Sequence, residues 1–414
     1  MDISGSSTRD SSIESAASLL ITRPLGTLFT FKTSFGTAAV ADGIPPEEYE
    51  TWVAGFEDYP VDHRYYEIVH ESLRDQCAHY YLFLKDANGM TRAIQPFLIV
   101  SQDLATGTPA FIRNALAQVR RLVPGLLKLR MLMVGCSAGE GAIVLERVSR
   151  DISWTVDALR ASLTPVARRL KAVLIVFKDY PKFYRRYLDR LRVFGFTRLP
   201  SMPATQLDLD FSDFEDYLKR RVSYTTRKNL RRKFRKAQSG PPIEWEVVTD
   251  ISPYVDEVYP LYQQTLSRSE FRFQELTKSY LCELGQRMND RALFFLWRQQ
   301  GRIIAFASVI VHNGVLRDNY IGMDYTVALK YHLYFVTWRD TITWALKNGI
   351  HTYYSGPLNY DPKYHFRMAL APLDLYVRSS YDWLNRIFKP ILPLLEPTRY
   401  DRVIRKFANA DELW

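Results

Sequence analysis

Apolar and polar positions along the chain fall into two successive blocks, each switching between helical and strand periodicity. In the first block the spacing predicts a helix over His63 to Leu73. It is followed by strands over Ala78 to Lys85 and Ala93 to Ser101,. Asp86-Ala87-Asn88-Gly89 joins these strands, and Asn-Gly is a strong hairpin signal,. A helix over Pro109 to Leu122, a strand over Leu127 to Val134 and a helix over Val156 to Lys171, kinked at Pro165, come next. A strand over Ala172 to Phe177 and a helix over Lys182 to Leu191 close the block.

The second block repeats the arrangement. Helices near Val255 to Ser267 and Leu276 to Met288 precede strands over Ala292 to Trp297, Ile303 to Val311 and Leu316 to Gly322, with turns at Gln300-Gly301 and Asn313-Gly314,. Apolar residues at 331, 334, 335, 338, 342, 345 and 346 then mark one buried helix face. Asn348-Gly349 stops that helix, and a strand over His351 to Ser355 follows,. The pattern predicts an α/β (α+β) fold of two lobes, each a mixed, largely antiparallel sheet flanked by helices.

Length and composition agree with two domains. The chain has 414 residues, 47% of them apolar and 14% aromatic, enough for two cores,. Residues 1–44 are rich in Ser, Thr, Gly and Ala without periodicity, and are expected to be a flexible arm,. The first lobe is then expected over 45–200, the second over 201–380 and a tail over 381–414. That tail mixes Ile387, Phe388, Ile391 and Leu392 with Arg386, Lys389, Arg399 and Arg402, so it either touches a membrane surface or packs on the second lobe,.

Three scattered cysteines without a CxxC pair exclude a disulfide framework or a thiolate metal cage, and no metal site is expected,. The first twenty residues lack the basic start and apolar run of a secretory leader, and no stretch of about 20 apolar residues occurs,. A cytoplasmic protein is the expectation.

Net charge is +10, and nine basic residues between Arg220 and Lys236, with no acid among them, account for nearly all of it. Leu230, Phe234 and Ala237 give this segment one apolar helical edge, and Ser223, Thr225 or Thr226 can cap its start,. Like charges at i,i+4 repel on an isolated helix. The run therefore points to an anionic partner: coenzyme A phosphates, an acidic carrier protein, tRNA or anionic lipid. Its candidate contacts are Arg227, Arg231 and Arg232.

Gly135-Cys136-Ser137-Ala138-Gly139 fits GxSxG directly after a strand, the setting of a serine hydrolase nucleophile, with Asp179 and His312 or His332 as partners,. The same glycines also suit a nucleotide loop of the methyltransferase kind. A third reading has them shape a loop at the lobe interface.

Three features resemble GNAT-superfamily acyltransferases of the FemAB-like, double-lobed kind. They are the basic segment Tyr224 to Lys236, the strand-helix-strand block Asn319 to Gly356, and Tyr360-Asp-Pro-Lys-Tyr-His-Phe-Arg367 before a strand over Leu373 to Val377. The resemblance implies N-acyl transfer, acetyl foremost, from an acyl-CoA or acyl carrier protein co-substrate. The acceptor would be a small-molecule amine, amino sugar or amino acid, and nucleic acid would enter only as a tRNA donor. No permanently bound cofactor is implied. A non-catalytic RNA- or lipid-binding relative is the rival. Residues 323–332 contain no glycine, so the glycine-rich pyrophosphate loop of simple GNAT enzymes is missing.

By this resemblance the thioester lies along the strand ending at Gly322 and Met323, bound by their backbone N–H groups. Asp324 is either the general base or a turn cap. Tyr325 or Tyr354 would donate a proton. Lys330, Tyr331 and His332 would open the crossover helix toward a phosphate or simply face water. His365 and Arg367 would bind an acceptor carboxylate or a donor phosphate, or form a surface ion pair.

Overall fold

In the computed structural model, residues 26–56, 59–103, 114, 117–121, 128–146, 151–269 and 274–414 are described. The first lobe contains β1 (Thr27–Thr33), β2 (Gly36–Ala41), α1 (Tyr49–Ala54), α2 (His63–Leu73), β3 (Ala78–Lys85), β4 (Thr91–Asp103) and β5 (Lys128–Val134). It continues with α3 (Ile152–Arg169), β6 (Leu174–Pro181), α4 (Arg185–Leu188) and β7 (Thr197–Pro200). The second opens with β8 (Ala204–Asp208), α5 (Phe214–Arg221), α6 (Tyr224–Gln238), β9 (Ile243–Val248), α7 (Val255–Ser267) and α8 (Lys278–Arg287). Next come β10 (Ala292–Gln299), β11 (Arg302–His312), β12 (Val315–Met323), α9 (Tyr325–Tyr331), α10 (Leu333–Lys347) and β13 (Thr352–Ser355). The chain ends through α11 (Tyr360–His365), β14 (Ala369–Ala371), β15 (Leu373–Ser379) and α12 (Asp382–Ile391).

Local chemistry accounts for these elements. The β10–β11 and β11–β12 turns each place two residues at positive φ, Gln300 and Gly301, then Asn313 and Gly314, the backbone a tight hairpin requires,. The Asp151 carboxylate caps α3, which runs on through Pro165 with Val156, Leu159, Leu163 and Val166 buried,. Ser223 caps α6, and its Leu230, Phe234 and Ala237 edge is buried as the periodicity predicts.

The strands form two sheets. Neighbours run β1, β2, β3, β4, β5, β6, β15, β7 in the first and β14, β8, β13, β12, β11, β10, β9 in the second. Among the described strands only β5 with β6 and β12 with β13 pair in parallel.

The second lobe gives one strand to the first. The chain passes from β7 of the first sheet into β8, which pairs with β13 and β14 of its own lobe, whereas β15 leaves the second lobe after β14 and inserts between β6 and β7. Parting the lobes would strip β15, and with it the ladder hydrogen bonds to both β6 and β7, from the first sheet,. A shared core adds to this lock, joining Trp52, Tyr65 and Tyr66 of the first lobe to Tyr262, Tyr280, Phe294 and Phe306 of the second.

Three boundary expectations are corrected. β1 and β2 lie within residues 1–44, so the first sheet starts at Thr27 and this part of the expected arm is strand. β15 lies within 201–380 but belongs to the first sheet. The tail divides between the lobes: Phe388 and Leu392 pack on Leu174, Val176 and Val377 of the first sheet, whereas Ile404, Phe407 and Leu413 pack on Tyr360 and Leu370. Most of the helix expected over 109–122 lies outside the described residues. Among the described residues no helix is long and apolar enough to cross a membrane, and no cluster of three or more ligating side chains suits a metal ion.

Candidate active site

The parallel pair of the second sheet opens into a wedge. β12 and β13 are in register from Val315 opposite Thr352 to Asp318 opposite Ser355, and the Gly356 N–H donates to the Asp318 carbonyl at 3.3 Å. Past this point β12 continues to Met323, while the other chain turns away through Leu358 and Asn359, both at positive φ.

On the helical face of the wedge stand Asp318, Tyr353 and Lys363. The Tyr353 hydroxyl donates to Asp318 Oδ2 at 2.5 Å, and Lys363 Nζ donates to the Gly356 carbonyl. Burial pulls the Lys363 ammonium down to about 8, against the opposing pull of Asp318,. Burial likewise raises the Asp318 carboxyl, although the Tyr353 hydrogen bond and the Lys363 charge hold it back. Lys363 is only 5% exposed. An amine buried there with a pKa near 8 can give up its proton close to neutral pH, as proton transfer requires.

On the opposite face Arg317 and Tyr354 are paired neighbours that reach across to the first lobe. Arg317 Nη1 lies 3.2 Å from Glu140 Oε1, and the Tyr354 hydroxyl donates to the same oxygen. The Arg317 guanidinium sits 4.2 Å from the Tyr354 ring centroid,. Burial and then Glu140 raise the Tyr354 hydroxyl well above its usual value, so it stays protonated. These three side chains line a cavity of about 690 Å³ between the lobes.

The loop bearing Glu140 occupies the corresponding wedge of the first lobe. β5 and β6 are in register until Val134 opposite Phe177. The Gly141 N–H then donates to the Asp179 carbonyl at 3.0 Å, filling the place β5 has left. A Cβ on Gly141 would meet the Tyr180 ring at 2.5 Å and the Lys178 carbonyl at 2.6 Å, so this close approach needs glycine,. Tyr65 anchors the loop by donating to the Ala138 carbonyl at 2.7 Å. Among the described residues no such loop closes the second wedge.

Several residues expected at the site have other tasks. The Asp324 carboxylate accepts from the Thr326 N–H at 2.9 Å and caps α9, which makes it a helix cap in the structure,. The Tyr325 N–H is taken by Gln264 and the Met323 N–H by Thr265, so neither is open to a ligand. Gly322 packs on α7, where a Cβ would lie 2.6 Å from the Tyr262 nitrogen.

Lys330, Tyr331 and His332 end α9 instead of opening the crossover helix. His332, at φ 52, is the hinge from which α10 starts. Tyr331 is buried against Gly240. His365 is a surface residue 3.8 Å from Asp361.

The basic helix has two faces. Arg232, Lys233 and Lys236 surround His332 at the start of α10 and lower its imidazole, after burial. Lys233 Nζ lies 3.2 Å from the Phe335 ring centroid, and burial followed by the Arg232 charge lowers its ammonium. Lys228, Arg231 and Arg235 line a separate groove of about 700 Å³ with Lys219 of α5. Arg231 pairs there with Glu215 at 2.8 Å. Arg227 also lines this groove, but its Nη1 is taken up by the carbonyls of Leu218, Lys219 and Val222 at the end of α5,.

The hydrolase reading fails on geometry. Ser137 is 4% exposed, and its hydroxyl meets His79 Nε2 at 3.1 Å, not His312 or His332. Burial, reinforced by His70, lowers His79 to about 4, and its neighbours are Cys77 and His70 with no carboxylate among its described contacts. Ser137 is also absent from the strained positive-φ residues, unlike a nucleophile at a sharp elbow,. For the methyltransferase reading, the glycine loop fills its own wedge and leaves no cradle there for a nucleotide.

Residues 225–364 match the family model described as Acetyltransferase (GNAT) domain. This segment of the second lobe is similar to a GNAT acetyltransferase domain. The two-lobed fold is FemAB-like, as the sequence resemblance implies. FemX shares it at 12% identity with a TM-score of 0.50, over 81% of this chain and 96% of that one. L-PGS from Bacillus licheniformis is 12% identical with a TM-score of 0.49, over 86% and 98%.

Two curated relatives from Mycobacterium tuberculosis, strains CDC 1551 and H37Rv, both bear the name "Putative 8-amino-7-oxononanoate synthase 2". Each is 22% identical over 346 residues, which cover 78% of this chain and 44% of the relative. The chain thus spans less than half the length of the curated relatives it matches.

The GNAT match includes Asp318, Tyr353 and Lys363, none of which the sequence pattern had singled out. Lys363 stood inside the family-like segment but was passed over beside His365 and Arg367. Glu140 had only its place in the glycine loop to mark it.

Proposed function

We propose that the chain is an N-acyltransferase that moves an acyl group, acetyl foremost, from a coenzyme A-like thioester to an amine. The observation that carries this reading is the contrast between the wedges. That of the first lobe is plugged by its own loop, whereas among the described residues no loop enters that of the second, which carries Lys363 and Asp318 on one face and a 690 Å³ cavity on the other.

The thioester would enter the second wedge with its phosphates at the start of α10, near Arg232, Lys233 and Lys236. A helix N-terminus ringed by cations attracts phosphate. Coenzyme A and a carrier protein's phosphopantetheine share that chemistry.

The amine would arrive through the cavity, and its nitrogen attacks the thioester carbon. As the C–N bond forms and the C–S bond breaks, the amine's proton passes to Glu140 and the departing sulfur takes a proton from Lys363. Both Arg317 and Tyr354 contact Glu140 at Oε1, which fixes the carboxylate against the cavity.

Thiol release from acetyl-CoA in the presence of an amine panel tests the reading. Amine-dependent thiol that Lys363→Met abolishes supports it, and thiol release that ignores the amine contradicts it.

A further inference from the structure

We infer that the cavity between the lobes selects amines that also carry an anionic group, a carboxylate or a phosphate, held by Arg221 and Arg367 at its rim. This rests on the acyl-transfer reading above and names the class of acceptor.

The charges in the cavity do not cancel. It is lined by Lys182, Arg221, Arg317 and Arg367 against Glu140 and Glu412. Arg317 takes Glu140 at 3.2 Å and Lys182 takes Glu412 at 3.1 Å. Among the described residues neither Arg221 nor Arg367 has a carboxylate partner. Two guanidinium groups are left to face the cavity uncompensated, and guanidinium is the donor best matched to carboxylate or phosphate oxygens.

The backbone under Arg367 shows what its side chain is worth. Helix α11 ends in a Schellman motif: the Met368 N–H donates to the Lys363 carbonyl at 3.2 Å and the Arg367 N–H to the Tyr364 carbonyl at 3.1 Å,. Arg367 thus holds the position where glycine is the usual residue, at φ 57,. A long charged side chain kept at a left-handed position, with the Tyr364 ring centroid 5.9 Å away and no carboxylate partner among the described residues, is a donor available to a ligand,.

The same turn is pinned beside Arg221. The Tyr217 hydroxyl donates to the Phe366 carbonyl at 2.5 Å, and the Phe366 ring stacks on Trp338 at 3.6 Å with 7° between planes. Tyr217 and Arg221 are four residues apart on α5, one helical turn, so the contact that fixes Phe366 also brings Arg221 to the rim that Arg367 occupies,.

The test compares 6-aminohexanoate with 6-aminohexanamide, and O-phosphoethanolamine with ethanolamine, as acceptors from acetyl-CoA. The wild type should show kcat/KM at least roughly tenfold higher for one or both anionic members, the size expected of charge-assisted hydrogen bonds. The larger ratio tells carboxylate from phosphate. Arg367→Gly should keep or raise Tm, because it relieves the left-handed position, and yet collapse that ratio through KM. Arg221→Gln should collapse it too.

Equal use of anionic and neutral amines by the wild type overturns the inference, as does an unchanged ratio in both variants. If no amine is acylated at all, the acyl-transfer reading fails, and the arginine pair is judged by binding alone. Inorganic phosphate or succinate should then raise Tm in the wild type and less so in the Arg221→Gln/Arg367→Gly double variant. Equal shifts in the two proteins would overturn the pair.

Discussion

Tyr354 of the second lobe donates its hydroxyl hydrogen bond to Glu140 of the first, so one face of the wedge is completed only when both lobes are in place. The two residues should therefore behave as one unit. Tyr354→Phe and Glu140→Gln are each expected to lower kcat/KM by roughly 10- to 100-fold, and the double variant should be little worse than the poorer single. Effects that simply multiply would show that the contact plays no part in the reaction.

Lys363 gives the reaction a pH dependence with a defined sign. In the proposed reaction it protonates the leaving sulfur, and it would lose that ability as pH rises through its lowered value of about 8. The rate should fall above about pH 8, and Lys363→Arg, which stays charged, should remove that falling limb while lowering the plateau. Lys363→Met should lower kcat by about 100-fold or more at every pH. A falling limb that persists in the arginine variant belongs to another group.

Because α6 carries two separate basic faces, charge reversal on each has a different effect. Lys233→Glu with Lys236→Glu should raise the KM for acetyl-CoA at least roughly tenfold at low salt, with less effect in about 0.5 M salt. Lys228→Glu with Arg235→Glu, on the outer groove, should leave that KM within about twofold. Equal effects from both pairs would return the helix to an undivided charged surface.

The donated strand β15 makes the lobes one cooperative unit. Val377 is buried on β15, opposite Val176 of β6 and Thr197 of β7. Val377→Pro should destabilise the fold by about 3 kcal/mol through a lost ladder bond and a ring clash. Hydrogen exchange should then speed up in β6 and β7 as well as in β15. Loosening confined to residues after 372 would mean that β15 is only an appendage.

Much of the fold could be read from the chain because its signals are local. The turns at Gln300-Gly301 and Asn313-Gly314 and the apolar edge of Leu230, Phe234 and Ala237 all fall where pattern places them. The strand donation could not be read, because β15 looks like any short strand and its partners lie in the other lobe. Residues 27–41 were missed for a related reason: small residues such as Ala38 and Ala39 form a strand only because β3 covers them.

The site was less legible than the fold. Asp324, Gly322 and Met323 were chosen by position along one strand, but Thr265 and Gln264 of α7 take the N–H groups there. Lys363 acquires its chemistry from burial beside Asp318, about 45 residues away in sequence, and no spacing rule reports burial,.

The measurement that tests the central claim most directly is thiol release from acetyl-CoA with and without an amine, in the wild type and in Lys363→Met. The account predicts release that depends on the amine, with a matching acylated product, and its loss in the variant while the fold stays intact by Tm. Release that is indifferent to the amine, or that survives Lys363→Met at the wild-type rate, would contradict it.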